Sequence, residues 1–271
     1  MWNIPSVGQA EVQDYDEGQA VRYTAMDTGN FTFSITDYKA SATYVTNKMK
    51  QDSFYMDRII SQFVPKQQRA IMAGIESAIL ALGPDAQTTA DPNNINGAAH
   101  RLAGSGTNDT ATLTDIAKVR YALRMASVPD KNLIGIVHPS VEVQLNALAT
   151  GSLNYNPMWE GVISTGIGSG LQFRFNIFGF DIYTSTFLKE NSASETISGN
   201  AVANGVNNVF FSAASDVLPF VGAIRQTPKV DSEYNKDLQR DEYVTTMRYG
   251  FKMFRPENFV ALVTDKTALT A

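Results

Sequence analysis

Apolar and polar residues alternate at every second position early in the chain, which is the period of a β-strand with one buried face. In "NFTFSITDY" (30–38), Phe31, Phe33 and Ile35 alternate with serine and threonine, and "ASATYVTN" (40–47) repeats the pattern more weakly. The two segments predict a projecting hairpin with one apolar face. Because an isolated hairpin is marginally stable in water, we expect that face to pack against a neighbour.

The same alternation returns near the C-terminus over a greater length. "RDEYVTTMRYGFKMF" (240–254) predicts a strand about 40 Å long at about 3.3 Å per residue. "GAIRQTPKVDSEY" (222–234) predicts its antiparallel partner across a polar turn, Asn235-Lys236-Asp237. A turn at 255–258 and a final strand follow. We interpret this region as an elongated arm that bridges neighbours.

A period of 3.6 residues predicts a helix between these strands. Over residues 56–82, apolar side chains recur three or four positions apart. Pro65 is expected to divide the stretch into a short helix and a longer one, from Lys66 to Leu82. Gly83-Pro84 is expected to end the second helix.

The middle of the chain has an α/β pattern. A helix over 113–127 is expected to be capped by Thr114, and a buried strand is expected over Leu133–Val137. A turn at His138-Pro139 then leads into a short helix. The remaining predictions are a polar arm over 1–20, a long loop over 84–112, a glycine-rich loop over 161–170, and strands within 171–188 and 207–221.

Composition narrows the class of protein. The 271 residues are 44% hydrophobic, enough for a core of one large or two modest domains. A formal net charge of −5 argues against a nucleic-acid binder with a basic face, but not against a protein that encloses nucleic acid. There are no cysteines, no secretory pattern and no run near the about 18 apolar residues of a membrane span. We expect a soluble protein of a reducing cytoplasm.

Candidate chemistry is sparse. The two histidines lie in different regions: His100 is expected to be a solvated side chain of the long loop, and His138 is expected to support a turn rather than to ligate a metal or act in catalysis. "GIGSG" (166–170) leads into a strand pattern instead of a helix, unlike a dinucleotide-binding loop. The acidic pairs, such as Asp241-Glu242, lie in arms and turns. We therefore predict no catalytic residue, no metal ligand and no cofactor, and a protein that is not an enzyme.

The order of elements resembles that of the tailed-bacteriophage major capsid proteins. Three segments are locally similar to that family: "LIGIVHPSVEVQLNAL" (133–148), "FNIFGFDIYTSTFL" (175–188) and "RDEYVTTMRYGFKMFRPENFVAL" (240–262). The resemblance implies an α+β protein with the HK97-like capsid fold. It also implies six segments: an N-terminal arm (1–20), an extended β-hairpin loop (21–52), a peripheral domain with a spine helix (53–95), an α/β axial domain (96–219), the long hairpin of the peripheral domain (220–255), and a C-terminal strand returning to the axial domain (256–271).

The resemblance implies a structural protein of the virion capsid. Copies would form the pentamers and hexamers of an icosahedral shell around double-stranded DNA, which they would contact weakly and non-specifically, with no membrane partner. Assembly would take place in the host cytoplasm, with a portal protein and possible decoration proteins. The chain lacks the long helical N-terminal extension of some members, so a separate scaffolding protein is expected unless that extension has been removed.

The implied subunit interfaces carry exposed aromatic and charged residues. The candidates are Phe31, Phe33, Ile35, Tyr38, Lys39, Tyr44, Lys48, Arg240, Tyr249, Arg255 and Glu257. Lys39 and Lys48 lie in the expected loop, but no partner asparagine for a covalent cross-link can be named. Two alternatives stay open at this point: an encapsulin shell that encloses enzymes, and a soluble α/β enzyme.

Overall fold

The computed structural model describes residues 2–7, 28–52, 56–87, 93–152 and 176–269. Its helices are α1 (Asn47–Asp52), α2 (Met56–Gln87), α3 (Leu113–Met125) and α4 (Pro139–Ser152). Its strands are β1 (Trp2–Val7), β2 (Thr28–Phe33), β3 (Asp37–Thr46), β4 (Asn94–Ile95), β5 (Ala98–Ala99), β6 (Arg101–Ala103), β7 (Leu133–Val137), β8 (Asn176–Ile177), β9 (Phe180–Thr184), β10 (Glu195–Ile197), β11 (Asn200–Val202), β12 (Gly205–Ser212), β13 (Phe220–Asn235), β14 (Arg240–Met253) and β15 (Phe259–Asp265).

The larger sheet has six strands in the order β6-β15-β12-β7-β9-β8. It is mixed, because β6 runs parallel to β15 and β7 parallel to β9, whereas the other neighbours are antiparallel. One face packs against α3 and α4 through Val119, Leu123, Val141 and Leu145. Every residue of β12 is buried, as expected for a central strand covered on both faces.

The smaller sheet has three strands in the order β13-β14-β3. β13 and β14 form a long antiparallel hairpin that runs from the pair Phe220–Met253 to the pair Asn235–Arg240. Helix α2 covers one face, where Ile71 and Ile75 pack against Met247 and Tyr249 of β14. The alternation along β14 therefore reports a strand with one helix-covered face.

A cluster of aromatic side chains joins the two sheets. The Phe220 ring, at the start of β13, meets the rings of Phe211 and Phe259 edge to face, with centroids 5.4 and 5.8 Å away. Leu80 of α2 belongs to the same buried cluster. A Cβ placed on Gly83 would lie 2.0 Å from the tip of the Phe259 ring, so only glycine allows the helix this close. We call these five residues the aromatic joint.

The predicted division of the long helix at Pro65 is wrong, and so is its predicted end at Gly83-Pro84. A single 32-residue helix contains both prolines. An internal proline costs about 3 kcal/mol or more through a lost hydrogen bond and a clash. Burial of Ile71 and Ile75 beyond Pro65, and of Leu80 at the aromatic joint, outweighs that local preference.

The predicted hairpin between the two early strands is also wrong. β2 pairs with β1, and β3 pairs with β14 over ten consecutive residue pairs. Residues 2–7 are consequently a paired strand, not part of an unpaired arm. The connection over 34–36 passes close to Gly250 of β14: a Cβ there would lie 3.0 Å from the Ser34 carbonyl oxygen and from Ile35 Cα.

Several local predictions are confirmed. β7 spans the expected Leu133–Val137, β14 spans Arg240–Met253, and the turn between β13 and β14 begins after Asn235.

The cap of α3 is Thr112 and not the predicted Thr114: the Thr112 hydroxyl accepts from the Asp115 amide, and the Asp115 carboxylate accepts from the Thr112 amide. Within the described ranges, no helix has the length and apolarity needed to span a bilayer.

We expect Gly83→Ala to destabilise the subunit by about 1–3 kcal/mol, because overpacking at Phe259 forces the helix away from the sheet. Gly74→Ala is a matched control on the same helix, since no atom lies within 4 Å of the added methyl. That variant is expected to be about 0.5–1 kcal/mol more stable than the parent chain. Urea unfolding of unassembled subunits, followed by circular dichroism, measures both. Equal effects of the two substitutions would contradict the close packing at Gly83.

Candidate subunit-interface surfaces

The described residues contain no group of three histidine, aspartate or glutamate side chains placed to hold a metal ion. Both histidines instead have structural surroundings. His138 Nδ1 lies 2.8 Å from Ser140 Oγ and accepts from the Ser140 amide at 3.2 Å, at the start of α4. The His138 amide donates to the buried Asn208 carboxamide oxygen at 2.8 Å. The predicted turn role of His138 agrees with this geometry.

His100 is fully buried, which corrects the expectation of a solvated loop side chain. Its Nδ1 lies 3.1 Å from the Ala98 carbonyl oxygen, and its Nε2 lies 3.1 Å from the Glu257 carbonyl oxygen. The ring therefore ties β5 to the turn that precedes β15. Burial lowers the pKa of His100, and the two backbone carbonyls oppose that shift only in part.

A buried polar network that sequence reasoning missed attaches the β10–β11 hairpin to the larger sheet. The Arg101 side chain, only 1% exposed, donates to Glu195 at 2.5 Å. Asn191 donates to the same carboxylate at 2.8 Å, and Asn207 donates to the Asn191 oxygen at 2.9 Å. Because Arg101 lies 94 residues from Glu195 along the chain, no spacing signal connects the two. The network holds the β10–β11 hairpin against the larger sheet.

Exposed aromatic and basic residues collect on the smaller sheet. The face of this sheet opposite α2 carries Tyr38 and Tyr44 of β3, which are 59% and 55% exposed. The Arg240 guanidinium lies 4.5 Å from the centre of the Tyr44 ring, and its Nε donates to Glu242 at 2.6 Å. Arg240 is the main cause that lowers the pKa of Glu242. Lys39 and Lys48 are also exposed.

The far end of the long hairpin is held by side chains that the sequence pattern does not connect. The Asn47 amide group donates to the Tyr234 hydroxyl at 2.9 Å and to the Gln239 side-chain oxygen at 3.0 Å. The Tyr234 hydroxyl donates to the same Gln239 oxygen at 3.0 Å. Lys50 of α1 forms an ion pair with Asp241. The hairpin tip is thereby anchored to the junction between β3 and α1.

Two of the predicted interface residues lie inside the subunit. Phe33 is 4% exposed and its ring tip would lie 3.4 Å from a Cβ on Gly250, whereas Tyr249 is 1% exposed beneath α2. Each belongs to the apolar face predicted for its own strand, and the chain itself covers both side chains. Ile35 is half-buried, and its carbonyl oxygen accepts from Arg248 at 3.5 Å.

Phe31 lies in β2, opposite Ile4 of β1, and its side chain is outside the described part. At the other end of β14, the Arg255 guanidinium lies 5.3 Å from the centre of the Phe254 ring. Glu257 contributes its carbonyl oxygen to His100, as described above. The structure therefore brings Tyr38, Tyr44 and Arg240 together on one surface and leaves Arg255 and Glu257 at the base of the hairpin.

Comparison with protein families identifies the class. Residues 30–264 match the family described as phage capsid protein, so the chain belongs to that family. No curated protein sequence matches the chain. The family is a structural one: the protein is a component of the phage capsid that forms the shell from copies of itself, and it is not an enzyme.

Solved structures share the fold. The capsid of cyanophage P-SCSP1u aligns with a TM-score of 0.69 at 16% identity, covering 99% of this chain and 83% of that one. The capsid of cyanophage Pam1 aligns with a TM-score of 0.66 at 12% identity, covering 98% and 84%. The SrpI encapsulin of Synechococcus elongatus aligns more weakly, with a TM-score of 0.54 at 12% identity and coverage of 90% and 79%. The predicted α+β class and the resemblance to phage capsid proteins are confirmed.

The lowered pKa of His100 predicts acid sensitivity. The unfolded chain takes up a proton near pH 6.5, whereas the buried ring stays neutral, so the free energy of unfolding falls as the pH drops below about 6.5. The slope for one group is at most about 1.4 kcal/mol per pH unit. Urea unfolding of unassembled subunits between pH 7.5 and 5.5 should show a smaller slope for His100→Gln than for the parent chain. An unchanged slope would exclude His100 as the source of acid sensitivity.

Proposed function

We propose that the chain is the major capsid protein of a tailed phage, and that its copies form the pentamers and hexamers of an icosahedral shell around double-stranded DNA. The observation that carries this proposal is the smaller sheet: α2 covers one face, whereas the opposite face exposes Tyr38 and Tyr44, and neither edge strand pairs with a further strand among the described residues. The larger sheet is covered on both faces by the chain itself. We therefore place the contacts between copies mainly on the smaller sheet, which contains the long β13–β14 hairpin.

We assign the segments on the same basis. The larger sheet, within 96–219 together with the strand in 256–271, is the axial domain that surrounds the capsomer centre. The smaller sheet and α2, from 53–95 and 220–255, form the peripheral domain. The predicted arm (1–20) and extended loop (21–52) change in one respect. β3 pairs with β14, so we assign it to the peripheral domain, and the β1–β2 ribbon becomes the projecting element.

The side chains proposed to contact other copies are those that the subunit leaves uncovered. Tyr38, Tyr44, Lys39 and Lys48 qualify by exposure. Arg240 qualifies by its stacking on Tyr44, which presents an aromatic ring and a guanidinium side by side. Aromatic residues and arginine are enriched in protein interfaces and carry much of their binding free energy. Phe33 and Tyr249 support this surface from inside the subunit.

A shell that closes around a genome needs further protein partners. We propose a separate scaffolding protein to set the shell size, a portal protein for DNA entry, and decoration proteins on the outer face. Assembly would occur in the host cytoplasm. The absence of cysteine fits a shell held together without disulfides.

An encapsulin-type compartment is the second candidate, and the shared fold of the SrpI encapsulin favours it. Mass spectrometry of particles purified from the native source separates the two. Packaged DNA together with portal and tail proteins supports the phage capsid, whereas a single enzyme as the main internal protein supports the compartment.

Replacing Tyr38 and Tyr44 by glutamate should leave a folded subunit that no longer forms closed particles. Both side chains are exposed, so the subunit loses little stability, whereas carboxylates in a desolvated contact are unfavourable. Negative-stain microscopy and size-exclusion chromatography measure assembly. The control is Tyr121→Glu on α3, where the tyrosine is 56% exposed. It tests whether a negative charge anywhere on the surface is enough to prevent assembly. Normal particles from the double variant would remove this surface from the interface.

The shell protein should bind duplex DNA only weakly. With a net charge of −5, the chain has no excess of cations to release counterions from phosphates. Electrophoretic mobility shifts of a random-sequence duplex, measured over a series of salt concentrations, should show low affinity. A tight complex whose affinity falls steeply with added salt would contradict the weak-contact proposal.

A further inference from the structure

Three hairpins in the described part of the chain are closed by the same kind of two-residue turn. Asn96-Gly97 joins β4 to β5, Phe178-Gly179 joins β8 to β9, and Ser198-Gly199 joins β10 to β11. In each turn both residues have positive φ, at 48–51° for the first residue and 80–88° for the glycine. Positive φ at both central positions is the type I′ geometry that two-residue hairpins favour. The backbone requirement at the first position is therefore the same in all three turns.

The residue at that first position is unusual in one of the three turns. Asparagine at 96 suits the left-handed region, because its short polar side chain can hydrogen-bond locally, and serine at 198 is small. Phe178 is bulky and aromatic, a type of residue for which positive φ is an outlier. Its side chain is 44% exposed, whereas Phe180, two residues later, is fully buried. Burial inside the subunit therefore does not account for a phenylalanine at this turn, and strained residues of this kind persist where they serve a function.

The β8–β9 turn is held in place by its own hairpin. The Asn176 side chain accepts from the Gly179 amide at 3.1 Å and donates to the Asp181 carboxylate at 3.0 Å. Ile177 and Phe180, which flank the turn, are both buried in the core that α3 and α4 cover. The hairpin cannot tilt to bury the ring of its turn without withdrawing these two side chains from the core.

The Arg120 guanidinium of α3 packs against the same turn. Its Cζ and both Nη atoms lie 3.8 Å from the position that a Cβ on Gly179 would occupy. The guanidinium also donates to Asp130 at 3.0 Å, so its charge is paired within the subunit. A protein that covered the turn would therefore bury no unpaired charge from Arg120, which is the condition for a favourable contact.

We propose that Phe178 is an anchor residue for the contact between neighbouring copies, and that its ring enters an apolar pocket of the next copy. An exposed aromatic side chain held on a rigid turn and surrounded by polar groups is typical of binding hot spots. The occupant is a second copy of this chain, because the capsid shell is formed from copies of this protein.

This inference rests on the proposed function and deepens it, since it adds a contact made by the larger sheet to those of the smaller sheet. In a pentamer or hexamer, one surface of each copy meets a different surface of the next copy. The left-handed backbone at Phe178 destabilises the free subunit, whereas the ring stabilises the assembled shell. Subunit stability and assembly are therefore expected to respond in opposite directions to a substitution here.

Phe178→Asn tests this opposition. Asparagine is favoured at the first position of this turn, so the melting temperature of unassembled subunits, followed by circular dichroism, should rise by about 1–4 °C. Loss of the ring should raise the subunit concentration needed for closed particles by about tenfold or more, measured by light scattering over a dilution series.

Two matched variants separate the backbone effect from the ring. Ser198→Asn makes the same change in the β10–β11 turn, where no atom lies within 4 Å of a Cβ on Gly199. It should raise the melting temperature similarly and leave assembly unchanged. Phe178→Tyr keeps both the aromatic ring and the left-handed backbone, so its melting temperature and its assembly should stay close to those of the parent chain.

Photo-cross-linking identifies the occupant. The photoreactive analogue p-benzoylphenylalanine at position 178 should give covalent dimers of this chain when assembled particles are illuminated. Unassembled subunits at the same protein concentration should give none. Mass spectrometry of the cross-linked peptides then locates the pocket on the neighbouring copy.

Three results would overturn the inference. The first is unchanged assembly of Phe178→Asn. The second is a lower melting temperature together with lost assembly, since Phe178 would then act inside its own subunit. The third is cross-linking from position 178 only to a different protein or within one chain. If the parent chain forms no particles, the proposed function fails instead, whereas normal particles from Phe178→Asn leave it standing and remove only this contact.

Discussion

The contact between the end of α2 and Phe259 sets the arrangement of the whole subunit. Ile71 and Ile75 of this helix cover the smaller sheet, and less than three turns later Leu80 packs into the cluster beneath the larger one. Because Gly83 has no side chain, the helix lies directly on the Phe259 ring. A single rigid helix therefore positions both sheets, and a change at this contact alters the orientation of one sheet relative to the other.

The two sheets have different roles in a shell protein. The larger sheet completes its own core, and His100, Asn208 and Arg101 each have a hydrogen-bond partner within the subunit. In the smaller sheet, α2 covers one face, and the opposite face is covered by Phe33 and the 34–36 connection at Gly250 but exposes Tyr38 and Tyr44 along β3. A structural protein that acts by assembly needs such uncovered surfaces, whereas an enzyme needs a concave site with converging polar groups.

Local signals in the sequence were sufficient for much of the fold. Alternation located β14 and its turn with β13, a short apolar run located β7, and the 3.6-residue period located α2. The order of these elements was enough to identify the family. These predictions succeeded because each depends on residues that are close together along the chain.

What the sequence by itself determined was which face of each element is apolar; the tertiary structure decided what covers that face. Phe33 and Tyr249 show the difference, since both are apolar-face residues predicted to meet another subunit, yet the chain buries both. The partners of β2 and β3 and the continuity of α2 through Pro65 were likewise decided by packing. The periodicity of apolar residues indicates which side chains are buried. Which strand or helix covers them depends on long-range contacts, whose free energies exceed local conformational preferences.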